Sequence, residues 1–200
     1  NNNPKRPYYR ATLTFDDAKL AGDIGVRLKG HISIELTGGH SFPLKLDFDR
    51  YVEGQKLNGL KKLNLNTDFD GPTLPIMRDF LSYDAWRCFG VPASRTSLAR
   101  VTVNAETLGV YVLLEQVDGG FLKRHFDEPR GDLYKPEQIS WMLSYRGPDI
   151  SEYPDIGHKW PEDSDHAALL HALEVLDSGT PSELEQVFDV EAMLTYLAGN

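Results

Sequence analysis

Apolar and polar positions alternate with period two through much of the first half of the chain, and this pattern predicts strands. Ile24, Val26 and Leu28 interleave with Gly25, Arg27 and Lys29. Phe42, Leu44, Leu46 and Phe48 do the same against Pro43, Lys45 and Asp47, and Leu63 and Leu65 against Lys62, Asn64 and Asn66, in a run from Leu60 to Asn66. Each strand thus carries lysine on the face opposite its aliphatics. The expectation is a sheet with one side packed on a helix and the other turned to water or to an anion. Gly30, Gly38 and Gly39 mark turns around the His31–Ser41 segment between the first two strands.

The period then changes. From Thr73 to Phe89 the spacing of Met77, Phe80, Leu81 and Cys88 predicts a helix with an apolar stripe, closed by Gly90 and Pro92. Asp84 falls within that stripe, so it is expected to be partly buried with a basic partner, since an unpaired buried charge costs several kcal/mol. Arg100 to Asn104 and Leu108 to Glu115 read as strands joined by Ala105-Glu106-Thr107. The second is apolar on both faces and is expected to be central. After a break at Asp118-Gly119-Gly120 come a short helix from Phe121 to Phe126, a short strand from Asp132 to Lys135, and an irregular stretch from Gln138 to Trp160. Two helices follow, Asp165 to Asp177 with Leu169, Leu173 and Leu176 as its stripe, and Ser182 to Ala198, separated by Thr180-Pro181.

Composition narrows the classes. The chain of 200 residues is 40% hydrophobic and 26% charged, the balance of a globular domain. No run nears the roughly 20 apolar residues of a membrane span. A net charge of −9 without a face-length Lys/Arg run argues against nucleic acid as a partner. The single cysteine, Cys88, forbids an internal disulfide and, on an apolar helix face, reads as packed rather than nucleophilic. Asn1 to Pro7 reads as a polar lead-in with no apolar signal core.

Two apparent metal motifs fail on spacing. Asn66-x-Asp68-x-Asp70-Gly71 imitates a calcium loop, but its twelfth position is Met77 where a bidentate Glu is required. His166 and His171 are five apart, off the spacing of a helical metal pair. No hydrolase elbow and no dinucleotide glycine fingerprint is present.

A series of short strings, in order, resembles the CotH family, the spore coat protein H-like atypical protein kinases. They are Gly25-Val26-Arg27-Leu28-Lys29-Gly30, Phe42 to Phe48, Gly59 to Asn66, Met77-Arg78-Asp79 with Tyr83-Asp84, and Phe89-Gly90-Val91-Pro92-Ala93. Gly109 to Asp118, Phe121-Leu122-Lys123-Arg124 and Gly131-Asp132-Leu133-Tyr134-Lys135 continue the match. Each string is weak alone; their order is what makes the signal strong. The His31–Gly39 segment departs from the family pattern, being less basic and less serine-rich.

The resemblance implies an α+β, kinase-like two-lobed fold: a mainly antiparallel N-lobe sheet with one packed helix over residues 1–117, then a hinge and the beginning of a helical C-lobe over 118–200. It implies transfer of the ATP γ-phosphate to protein Ser or Thr with Mg or Mn, on coat or surface proteins, in a spore coat or in a secreted or cell-surface setting. It also implies that the catalytic aspartates follow a helix such as Phe188 to Leu197. The chain is therefore expected to be a truncated one, and no residue in it is assigned as catalytic base or metal ligand. The alternative is a non-catalytic coat or surface binding module on the same scaffold.

Phosphoryl transfer needs cations to neutralise the phosphates. Lys29, Lys45 and Lys62 are the candidates, against the plainer reading of a solvated sheet face; Lys62, just before the helix, stands where a kinase phosphate-binding lysine would. Asp84 is the helix carboxylate expected to meet a basic residue, or else to form a fold-stabilising pair with Arg87 or Arg100. Asp79 points away from the apolar stripe. Glu115 and Val117, at the end of the central strand, are candidate backbone contacts for adenine, or an ordinary strand end. Arg27 and Arg78 either assist the phosphates or line the surface.

Overall fold

The computed structural model describes residues 6–29, 42–67, 77–127, 131–136, 143–161 and 163–199. The His31–Ser41 segment, the proposed helix start at Thr73, the Asp68–Gly71 stretch and residues 138–142 lie outside these. By internal contacts the chain divides into one unit of Asn1–Cys88 with Pro92–Gln116 and another of Phe89–Val91 with Val117–Asn200.

The first unit is built on the alternating strands. These are β1 (Tyr9–Ala11), β2 (Thr14–Phe15), β3 (Ala18–Lys19), β4 (Ile24–Leu28), β5 (Leu44–Asp47), β6 (Lys62–Asn66), β7 (Thr96–Val103) and β8 (Glu106–Glu115), with helix α1 (Met77–Cys88) between β6 and β7. Six strands form one sheet in the order β1-β4-β5-β6-β8-β7, and every pairing is antiparallel. The expected central position of β8, between β6 and β7, is realised. A two-residue turn at Asn104-Ala105, both at positive φ (50° and 67°), joins β7 to β8, as a tight hairpin with right-handed strand twist requires.

Register fixes what shares a face. Val26 lies opposite Leu46 and Leu46 opposite Leu63; Leu28 lies opposite Leu44 and Leu44 opposite Leu65. One side of the sheet is therefore aliphatic, and Ile24, Leu46, Phe48, Leu63, Leu65 and Tyr111 form its buried cluster. The expected cover for this side is a helix, but the structure differs. Leu13 and Leu20, which flank the β2–β3 hairpin, and Leu57 and Leu60 of the loop after β5 pack on it instead. Gln55 anchors that loop, accepting from the Gly22 N–H at 2.9 Å and donating to the Phe48 carbonyl at 2.9 Å.

Helix α1 packs instead against β7 and β8 and buries none of its residues. Leu81 is 56% exposed, and Cys88, expected to be packed, is exposed. The reason is in the stripe itself. Asp84 interrupts it, and leaving that carboxylate in water costs less than desolvating it to bury a few aliphatics.

The second unit holds α2 (Gly119–His125), β9 (Leu133–Pro136), β10 (Ile156–Trp160), α3 (Ala167–Ser178), α4 (Pro181–Val187) and α5 (Val190–Gly199). Asp118 caps α2 by accepting from the Gly120 N–H at 2.8 Å and the Phe121 N–H at 3.4 Å. The stretch read as irregular contains a strand: β10 pairs antiparallel with β9, Ile156 opposite Pro136. In α3 the buried residues are Leu173 and Val175, while Leu176 of the expected stripe is 38% exposed. The single helix expected over Ser182–Ala198 is two. Asp189 ends the first run and starts the second by accepting from the Ala192 N–H at 2.9 Å, the bond of an N-cap that competes with continuing the helix. Thr180 and Glu183 form a reciprocal capping box at the start of α4. Among the described residues no helix is long and apolar enough to cross a membrane.

Phe48 is fully buried at the centre of the aliphatic cluster. Phe48→Ala is expected to lower the unfolding free energy by about 3–5 kcal/mol, read as a drop in urea midpoint with unchanged slope. Asp189→Ala is expected to cost about 1 kcal/mol and to reduce helical circular dichroism before the main transition.

Candidate functional site

The register that buries the aliphatics stacks the polar residues on the other side. Arg27 lies opposite Lys45, Lys45 opposite Asn64, and Asp47 opposite Lys62. Lys29 and Asn66 are two residues further along their strands and so share this face. Four cations, Arg27, Lys29, Lys45 and Lys62, are thus carried by three adjacent strands.

Polar side chains tie them down. The Lys29 Nζ donates to Asn66 Oδ1 at 2.6 Å, and the Asn66 Nδ2 donates to Asp79 Oδ2 of α1 at 2.9 Å. The Lys45 Nζ donates to Gln116 Oε1 at 2.7 Å, and Asn64 Nδ2 reaches the same oxygen at 3.2 Å. Lys62 pairs with Asp47 at 3.5 Å, where the carboxylate side chain is only 8% exposed.

Asp47, through Lys62, and Asp79, through Asn66, bring carboxylates to this face, but among the described residues the cations acting on Lys45 outnumber the one carboxylate opposing them. Lys45 registers the imbalance. Burial first, and then the charges of Lys62, Arg27 and Lys29, push its ammonium down to about 8, with Asp47 opposing. The Nε of Arg27 is buried with no hydrogen-bond acceptor among the described residues. Crowded like charges and a stranded buried donor are stabilised by a bound group rich in anionic oxygens.

The other candidates fall elsewhere. Asp84 is on the exposed side of α1, its side chain 57% exposed, and pairs with Arg87 at 2.8 Å. Its expected burial is corrected; its basic partner is Arg87, whose Nη1 also donates to the Ser94 carbonyl at 2.6 Å. Asp79, set aside because it points away from the helix stripe, is the α1 carboxylate that reaches the cation face, through Asn66. Arg78 is exposed on the same helix. The Glu115 carboxylate is 2% exposed and is held by the Arg95 backbone N–H at 3.1 Å and by its Nε and Nη2 at 3.3 and 3.2 Å. The Glu115 N–H donates to the Arg95 carbonyl at 3.0 Å. Val117 begins the second unit's main segment and is 38% exposed.

Asn64 and Asn66 were readable as site members, since they follow Lys62 at the strand period. Gln116 carried no sequence signal, because its approach to Lys45 depends on the pairing of β6 with β8, 52 residues away.

The second unit has its own polar cluster. Asp132 Oδ2 accepts from Ser164 Oγ at 2.5 Å and Tyr134 Oη at 3.2 Å, and Oδ1 contacts His158 Nε2 at 3.2 Å. Burial pushes this carboxyl up, but the Ser164, His158 and Tyr134 hydrogen bonds outweigh it and hold it below its usual range. His166 Nδ1 meets Tyr134 Oη at 2.8 Å. These contacts fasten the β9–β10 pair to the start of α3. Among the described residues no group of three or more His, Cys, Asp or Glu is placed to hold a metal ion.

Comparison with curated proteins found no match. The family model described as CotH kinase protein matches residues 26–200, which takes in the four cations, α1 and all of the second unit. By this match over most of its length, the chain belongs to the CotH kinase protein family.

Proposed function

We propose that this chain handles the nucleotide of an ATP-dependent protein kinase, one that transfers the γ-phosphate to Ser or Thr of a protein, in a spore coat or at a cell surface. Residues 1–117 act as the kinase N-lobe, and residues 118–200 as the hinge and the beginning of the helical C-lobe. The observation that carries this reading is the cation face. Arg27, Lys29, Lys45 and Lys62 are brought together by strand register, and among the described residues three of them act on Lys45 against the single carboxylate of Asp47.

The triphosphate fits this face on two counts. Its oxygens relieve the repulsion among the cations, and they offer an acceptor to the buried Arg27 Nε. In this reading Lys45, the most crowded of the four, is the principal phosphate contact, in place of Lys62, whose ammonium is already engaged by Asp47. Asn64, Asn66 and Gln116 hold the lysine side chains in place, and Asp79 links the face to α1 as the helix carboxylate of the site. Magnesium or manganese, when bound with the nucleotide, adds to the neutralisation of phosphate charge; no residue described above is assigned to it. Glu115 and Val117 contribute backbone contacts to the base, with the Glu115 N–H already engaged by Arg95.

Nucleotide binding is tested by thermal unfolding. ATP with Mg or Mn is expected to raise the melting temperature of the wild-type chain, by the equivalent of about 2.7 kcal/mol at one hundred times Kd. Lys45→Ala is expected to abolish most of that rise, and Asp84→Ala to leave it intact. A wild-type chain indifferent to nucleotide, or a Lys45→Ala variant shifted as fully as wild type, sinks the reading and favours a non-catalytic module.

A second prediction follows from the sign of the Lys45 displacement. Its folded-state value, about 8, lies below the 10.5 of the free side chain. The unfolded chain therefore binds more protons between those values, and stability rises with pH across that window. The penalty is fully present below about pH 8 and fades as pH rises through 10.5. Lys45→Met is expected to raise the melting temperature at pH 7 without ligand, with the gain shrinking towards pH 10.5. Phosphate binding near pH 8 is expected to take up a proton, visible as a calorimetric enthalpy that varies with buffer ionisation enthalpy.

A further inference from the structure

A strand outside the family match, β1, borders the cation face. β1 precedes residue 26, where the match begins, yet it pairs with β4, Tyr9 opposite Val26 and Arg10 opposite Gly25. That register brings Tyr8 to the level of Arg27 and onto the same face. The Arg27 guanidinium carbon lies over the Tyr8 ring at 5.2 Å from its centroid, and the Arg50 guanidinium carbon lies over the same ring at 4.9 Å. Gly25 leaves room for the arrangement. A Cβ there would sit 2.9 Å from both Arg50 Cγ and Tyr8 Cδ1.

Two guanidiniums at one ring repel each other, and the ring's negative face offsets part of that repulsion. A guanidinium held against a ring face keeps its N–H donors in its own plane, directed past the ring edge. Arg27 shows the consequence, with a buried Nε that finds no acceptor among the described residues. Arg27 also adds to the positive field at Lys45, so the arginine pair and the lysines form one electrostatic surface. Planar forks beside point charges suit a chain of linked phosphates, whose successive oxygens can be gripped two at a time.

We propose that Tyr8 is a positioning residue that holds Arg27 and Arg50 for the additional phosphates of a polyphosphate chain, so that the N-terminal strand sets a preference for triphosphates over monophosphates. The inference rests on the reading of the cation face as a phosphate site. Its test is calorimetric titration of the full chain with ATP, AMP and inorganic tripolyphosphate, alongside thermal unfolding of each variant. Tyr8→Leu, Gly25→Ala and Arg50→Gln are each expected to weaken ATP and tripolyphosphate on the order of fivefold, with AMP little changed. Tyr8→Phe, which keeps the ring, is expected to retain the wild-type preference. If Tyr8→Leu does not fold, Arg50→Gln at an exposed position and Gly25→Ala read the same preference. The proposal fails if the folded variants keep the wild-type preference, or lose ATP and AMP in equal measure. A wild-type chain that binds none of the three probes overturns the phosphate-site reading as well, which separates the two failures.

Discussion

The antiparallel register of β4, β5 and β6 is the constraint on which the first unit depends. Side chains alternate with period two, so a slip of one residue in any of these strands would bring lysine or arginine into the aliphatic cluster. Burying Ile24, Leu46, Phe48, Leu63 and Leu65 on one side therefore obliges Arg27, Lys29, Lys45 and Lys62 to gather on the other. The concentration of charge is the opposite side of the core, enforced by the same hydrogen-bonded ladder.

That concentration works against the unliganded fold. Cations on neighbouring strands repel, and Lys45 is partly desolvated as well. Neutral groups orient two of the ammoniums, Asn66 that of Lys29 and Gln116, itself held by Asn64, that of Lys45. A neutral tether orders a lysine without bringing a negative charge of its own. The Tyr8 ring serves Arg27 and Arg50 in the same way. The buried Glu115 behaves differently. Arg95 holds it from the backbone and from the guanidinium, and its role is to lock the end of β8.

The match to the CotH kinase protein family takes in the cation-bearing face and the helix-rich unit that follows it. Family membership does not by itself say which lysine would meet a phosphate in the proposed site. Strand order favoured Lys62, but Lys62 has a nearly buried carboxylate partner in Asp47, whereas Lys45 sits among three other cations. The helix carboxylate also changes identity for a physical reason. Asp84 lies on the stripe that periodicity selects, but α1 does not use that stripe to build the core. The helix reaches the cation face from Asp79, through Asn66.

The sequence by itself determined the features that local alternation and local caps control. These were the three cation-bearing strands and the division of their faces, the β7–β8 pair, the α2 break at Asp118, the Thr180-Pro181 separator, the α+β class, and through its ordered motifs the family. Three features were misread because short-range patterns compete. A carboxylate within a stripe made α1 resemble a core helix, Asp189 hid an N-cap inside an apolar run, and β10 lacked alternation of its own. Tertiary structure alone decided which residues meet across strands: Lys45 with Gln116, Asn66 with Asp79, Tyr8 with Arg27 and Arg50, and the hairpin and loop leucines with the aliphatic face. Periodicity tells each strand which way its side chains point. Only the pairing of strands distant in sequence decides which of those side chains become neighbours.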